Sequence, residues 1–429
     1  MLDPGAPVAK PASGPAPAAV GDAPARRIPP RRLVPWLGVV ALIVQGAIQG
    51  TQGVLLPNQL LRIDAGQKVT NLAIVTSVSF AVAILVQPLV GTLSDRTRSR
   101  LGRRAPWMLA GAASTGIALT TMGFLASIPA IAVCWVLVQI SFNVMLAPSS
   151  ALMPDRLPVE RRGGASALAG LGFMVGAALA TVAGGALASR LPLGYALFGL
   201  VVVIGIVLFV VFNPDRTTVG PAEPFRWRSL VAAFWVNPRK HPDFAWAFAA
   251  RLLFTVSYYS VVTFSFYMLT DYAHLSVAEA NGGVGAISAS TVIAAILGIL
   301  VGGLGSDRLN RRKPFIYAAS VLMAIGLAIP LIWPSFPGMI GLAACFGLGF
   351  GLYQSADGVL MSLVLPNPNQ SAAKDIGVLN LANTIPQAIA PAIGGALVVA
   401  TGGYTSLFMA GIVISLVAAL VIIPVRGVR

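Results

Sequence analysis

Residues 91–107 read GTLSDRTRSRLGRRAPW, and residues 302–315 read GGLGSDRLNRRKPF. Each stretch closes one long apolar run with Ser-Asp-Arg and opens the next with basic residues and a proline. Asp95 and Asp307 stand 212 positions apart. So do Pro154 and Pro366, each at the end of a later apolar run. Gly184-Gly185 and Gly394-Gly395 recur at nearly the same offset. Recurrence at so long and regular an interval implies an internal duplication with parallel halves.

The composition says where such halves reside. Apolar residues make up 56% of the 429, and 45 glycines come on top. Ordinary globular chains hold about 45–50% with glycine included, and about 25% charged residues. Here only 10% are charged, too few to coat a soluble particle of this size. A polytopic membrane protein fits. The two cysteines lie in apolar runs and the two histidines are far apart, which excludes a disulfide framework and a His-based metal or catalytic cluster. No GxxxxGK[ST] loop occurs and no acid, base and nucleophile cluster, so neither an ATP-driven pump nor an enzyme is expected. No cofactor, metal ligand or catalytic residue is expected either.

Residues 1–33 are rich in proline and alanine, have no signal-peptide pattern, and read as a disordered cytoplasmic tail. Twelve apolar spans follow, at 34–56, 72–93, 107–126, 130–152, 165–188 and 193–212, then at 244–269, 282–301, 315–333, 336–364, 376–399 and 404–423. Each is near the length needed to cross a bilayer, about 17–25 residues. With both termini inside, twenty-five of the 29 basic residues face the cytoplasm. Arg62, Lys68 and Arg190 fall outside, and Arg251 falls within a span. The bias also explains the net charge of +15, because these arginines face anionic lipid and need no nucleic acid. The expected fold is all-α: twelve transmembrane helices in two pseudo-symmetric six-helix bundles, 34–212 and 244–424. A cytoplasmic linker, 213–243, joins them, and 425–429 is a cytoplasmic C-terminus.

On these motifs the chain resembles the major facilitator superfamily, from about residue 34 to 424. Its loop between spans two and three carries Gly-x-x-x-Asp-Arg followed by Gly-Arg-Arg, matched by the first stretch and, in shorter form, by the second. The longer first copy, with QSADGVLMSLVLP at 354–366, is similar to the glycoside–pentoside–hexuronide and sucrose-like branches. The resemblance implies a carrier of sugars or glycosides, often driven by a proton or sodium ion. It also implies that Asp95 with Arg96, Arg103 and Arg104, and Asp307 with Arg308, Arg311 and Arg312, latch the halves together in the outward-facing state. The bland alternative is a set of basic loops that only fixes topology. Gly91 and Gly303 are expected to permit close helix approach. Asp155, beside Arg156, reads as a gate or loop contact.

Arg251 lies seven residues into its span, about 10 Å deep at 1.5 Å per residue. A charge at that depth is costly and is usually paired. Asp357, seven residues before the inner end of span ten, sits at similar depth and is the acidic residue within the spans. A pair between them is expected. It is read as a proton sensor or gate, as a permanent structural pair, or as no pair, with Arg251 reaching to the interface.

Amide side chains cluster on helical faces: Gln45, Gln49 and Gln52 in span one, Gln139 and Asn143 in span four, Asn380, Asn383 and Gln387 in span eleven. With Gln354 and the rings of Tyr258 and Tyr259 they are the candidate solute contacts, since amides both donate and accept. Bonding or packing between helices is the competing role for each. Three functions remain open. The first is an alternating-access carrier of a small polar solute in the plasma membrane, proton- or sodium-coupled, working as a monomer. The second is a proton-linked exporter of a drug or amphipathic metabolite. The third is a non-transporting receptor or scaffold.

Overall fold

The architecture is that of a computed structural model, which describes residues 30–215, 239–309, 311–364 and 372–425. Among these residues all regular structure is helical. Helix α1 runs from Pro30–Gly50 through a π-helical turn, Thr51–Leu55, into Leu56–Ile63. Then come α2 (Lys68–Arg96), α3 (Ala105–Met122), α4 (Ile128–Ser150), α5 (Val159–Leu187) and α6 (Leu191–Phe212). Helix α7 (Pro242–Val262) continues through Ser265–Tyr267 into a second π-helical turn, Met268–Tyr272. The set closes with α8 (Val277–Leu309), α9 (Lys313–Ile332), α10 (Phe336–Val364), α11 (Ala372–Thr401) and α12 (Thr405–Val421).

Nine described stretches are long and apolar enough to cross a membrane. One of them, Glu160–Phe212, contains both α5 and α6, broken only by the tight turn Ala188–Arg190. With the 18-residue α3 and the 17-residue α12, the crossings number twelve. Leu85, Ile117, Ile332 and Leu420 stay more than half exposed, as a lipid-facing surface requires. Trp135, Tyr195, Phe142 and Phe346 fill the interior instead.

Local chemistry explains several boundaries. Pro57 has no N–H to donate and its ring crowds the carbonyl four residues back, and the π-helical turn of α1 directly precedes it. Ser276 and Glu279 form a reciprocal cap at the start of α8. The Ser276 hydroxyl and N–H both donate to Glu279 Oε2, at 2.7 and 2.9 Å.

Each packing in the first six helices recurs in the second six. Helix α1 packs on α5 and α6, and α7 on α11 and α12. Helix α2 packs on α4 as α8 does on α10. Helix α3 packs on α4 and α6, and α9 on α10 and α12. This is the duplication in three dimensions. The most extensive contacts between the bundles are again reciprocal: α2 with α11 and α5 with α8. Small residues allow the close crossings. A Cβ on Gly172 would strike the carbonyl of Gly38, and one on Gly351 that of Ala295. Gly91 and Gly303 do not serve this purpose. A Cβ on either meets nothing within 4 Å, so the expected close approach is absent in this state. Their carbonyls instead accept bonds from Ser94 and Ser306.

Candidate functional site

A buried charged pair is built by α7 and α10. Arg251 Nη1 lies 3.0 Å from Asp357 Oδ2, and Tyr353 Oη donates to Asp357 Oδ1 at 3.0 Å. Arg251 and Asp357 are 8% and 2% exposed, so neither head group is bathed in water. Arg251 does not extend to the interface. The two helices run antiparallel, and the pairing continues along them as aromatic stacks. Phe254 stacks on Tyr353 at 3.8 Å between ring centroids, and Tyr258 on Phe350 at 4.6 Å. Tyr258 also meets Phe346 and the edge of Tyr259. Tyr258 is therefore half-buried inside its own bundle.

The amide residues divide. Gln45, Gln49 and Gln52 lie half-exposed along α1, next to Gly53, beside which a Cβ would find open space. Gln139 on α4 is buried, and Asn143 donates to its backbone carbonyl at 2.8 Å. Gln52 Oε1 and Gln139 Nε2 are buried without a hydrogen-bond partner. Such groups normally have one, in protein, water or ligand. Gln354 is exposed, and Gln387 is half-buried. The side chains of Asn380 and Asn383, and that of Asp307, lie outside the described residues.

A second constellation sits at the arginine-rich end of the first bundle. Asp155 Oδ2 accepts from Arg103 Nη2 at 2.5 Å and from Arg104 Nη2 at 2.6 Å. Buried Arg104 also reaches Asp95 Oδ1 at 3.2 Å and the carbonyl of Pro148 at 3.4 Å. Asp215 accepts from Arg156 Nη2 at 2.5 Å and from the Arg104 backbone N–H at 2.8 Å. That last approach needs Gly102, whose φ of +92° turns the loop and whose missing Cβ leaves room for the Asp215 carboxylate. Asp95, Arg103, Arg104 and Asp155 thus bond within one bundle, tying the end of α2 and the start of α3 to the short helix Leu152–Arg156 that follows α4. Arg96 is half-buried there, and Arg308 and Arg311 are exposed at the matching end of the second bundle. Arg312 donates to Ser306 Oγ.

Tyr353, Arg156 and Asp215 were not singled out from the sequence. A signal for the last two exists, because Pro-Asp-Arg recurs at 154–156 and 214–216. Tyr353 stands one helical turn before Asp357.

Two bundles related by an internal repeat, each with its basic loop after the second helix, define the class. The chain belongs to the Major Facilitator Superfamily, whose pattern matches residues 38–371 and 271–428. That family places it among multi-pass membrane transporters and not among enzymes. The nucleoside transporter NupG aligns over 92% of this chain and 99% of its own at a TM-score of 0.73, with 14% identity. A bacterial homologue of the human lysosomal transporter Spinster, inward-facing and unoccupied, aligns over 91% and 94% at 0.63, with 15% identity. At these identities the likeness is one of fold. The sucrose transport protein SUT2 of Oryza sativa, in subspecies indica and japonica, is 56% identical over 48 residues. That match spans 10% of this chain and 10% of the rice protein.

Proposed function

We propose that the chain is a secondary carrier of a small polar solute of the sugar or glycoside class. It works by alternating access of a site between the bundles 34–212 and 244–424. The observation that carries this reading is that two of the candidate solute contacts, Gln52 and Gln139, keep buried, unpartnered amide atoms, Oε1 and Nε2. An amide left so in apolar surroundings is costly, and a solute rich in hydroxyls supplies both a donor and an acceptor. An amphipathic cargo would leave them unmet. The short match to a sucrose transport protein points the same way.

Coupling runs to a proton or a sodium ion. Asp357 is the proton candidate, since neutralising it would release Arg251 and Tyr353 together. The arginine-rich loops and both termini face the cytoplasm of a plasma-membrane protein that acts as a monomer. Uptake of labelled sugars into proteoliposomes, with imposed proton or sodium gradients, tests the reading. Saturable uptake that Gln52→Ala and Gln139→Ala each reduce is expected. Asp357→Asn should abolish proton-driven accumulation while leaving exchange. Absence of saturable uptake for every sugar and glycoside tried would overturn the solute class. Full accumulation by Asp357→Asn would overturn the proton site.

A further inference from the structure

The first bundle buries three polar groups that neither the site above nor the basic loops use. Gln59, in the part of α1 beyond its π-helical turn, is 3% exposed, and Trp135 on α4 and Tyr195 on α6 are fully buried. Gln59 Oε1, Trp135 Nε1 and Tyr195 Oη have no hydrogen-bond partner in the protein. Buried groups of this kind normally have one, and ordered water supplies it where protein does not.

Neighbouring contacts bring the three to one level of the bundle. Gln59 Nε2 donates to the carbonyls of Met122 and Leu125 at the end of α3, at 2.8 and 2.9 Å. Between those carbonyls, a Cβ on Gly123 would strike Pro192 at the start of α6. A Cβ on Gly194, beside Tyr195, would press on Leu55, one turn before Gln59. Tyr195 lies within electrostatic reach of Cys134, the residue before Trp135, and of Tyr267, whose hydroxyl donates to the carbonyl of Pro57. Cys134 in turn donates to the Ala118 carbonyl of α3 at 3.3 Å, one turn before Met122.

We propose that Gln59 Oε1, Trp135 Nε1 and Tyr195 Oη enclose a hydration site, whose ordered water joins α1, α4 and α6 from within the bundle. The chemistry of the set selects water. The indole of Trp135 only donates, the amide oxygen of Gln59 only accepts, and the phenol of Tyr195 does either. One water that accepts from the indole, donates to the amide oxygen and bonds the phenol meets all three, and three polar partners are what a buried water commonly takes. An ion would find no countercharge in this neutral set, and a solute would need access that side chains so buried do not give. The water fastens the outer part of α1, just past the turn where its helical bonding is irregular, to two neighbouring helices. The site is independent of the transport reading and needs no solute for its test.

The test is the sign of a stability change. Tyr195→Phe removes one oxygen and little volume. With water on that oxygen, the change takes away a hydrogen bond, and the unfolding equilibrium constant in mixed micelles should rise about fivefold. With nothing on it, the change removes an unmet polar group and the protein gains stability. Trp135→Phe should also destabilise, but its lost packing contributes, so the double variant decides whether the water is shared. With one water the two losses fall short of additivity, because the second change acts on a site the first has already weakened. Hydroxyl-radical footprinting, which oxidises side chains beside bound water, gives a separate reading. Tyr195 should be labelled in the native protein, and Phe346, also buried but wholly apolar, should not. A Tyr195→Phe variant as stable as the parent or more so would overturn the hydration site, as would an unlabelled Tyr195. Losses that add in full would overturn the shared water.

Discussion

The two bundles carry the same basic loop, yet they hold it differently. In the first, Arg104 meets two carboxylates through its side chain and a third, Asp215, through its backbone. In the second, the equivalent Arg312 donates to a serine hydroxyl, and Lys313 reaches the terminal carbonyls of Ile423 and Val425. The sequence shows why. Asp155 corresponds at the 212-residue offset to Asn367, and Asp215, after Pro214, corresponds at an offset of 210 to Val425, after Pro424. The deep membrane shows the reverse. Arg251 and Asp357 pair in the second bundle, where the same offset gives Val39 and Met145 in the first. Duplication preserved the helices and the basic loops. What each charge does depends on acids that only one copy has.

The largest effect should come from unbalancing the deep pair. Arg251→Val alone leaves a buried carboxylate with its strongest partner gone and should destabilise the protein by about 3–5 kcal/mol. Arg251→Val with Asp357→Met, which makes the second bundle resemble the first, should recover most of that loss. Unfolding titrations in mixed micelles would read both. If the double variant is no better than the single, the pair contributes more than mutual neutralisation, and the comparison at depth fails.

The basic loops come next. Arg104→Ala should cost about 3 kcal/mol, since it breaks a partly buried charge network. Arg312→Ala should cost less, since the carboxylates that Asp155 and Asp215 supply to the first copy are replaced by Asn367 and Val425 in the second. Equal losses in the same unfolding assay would erase the distinction between the copies. Asp215→Val, which imitates the second bundle at the end of α6, should fall between them at about 2 kcal/mol. It should also raise proteolytic cleavage within the loop around Gly102, whose backbone Asp215 helps to fix. An uncleaved loop would show that Arg103 and Asp155 suffice to hold it.

Much of this was legible beforehand, because a bilayer makes sequence unusually explicit. Helix count, the two halves and the loops follow from apolar length and the distribution of arginine. The Arg251–Asp357 proximity followed from counting residues along two opposed helices. Other features were not readable. Tyr353 bonds to Asp357 only because one turn of α10 brings it onto the same face. Lys68 and Asp271 are 203 positions apart, and no local pattern announces that they meet. Gly91 was misread because a membrane glycine suggests close packing, and only the neighbouring helices reveal whether anything is near.

Sequence alone therefore determined the solvent of this protein, its crossings and its repeat, since each depends on hydropathy and charge summed along the chain. The tertiary structure decided which charges pair and which amides stay unmet. Those outcomes turn on distances of a few ångströms between helices remote in the chain, where one turn of rotation exchanges a partner for lipid.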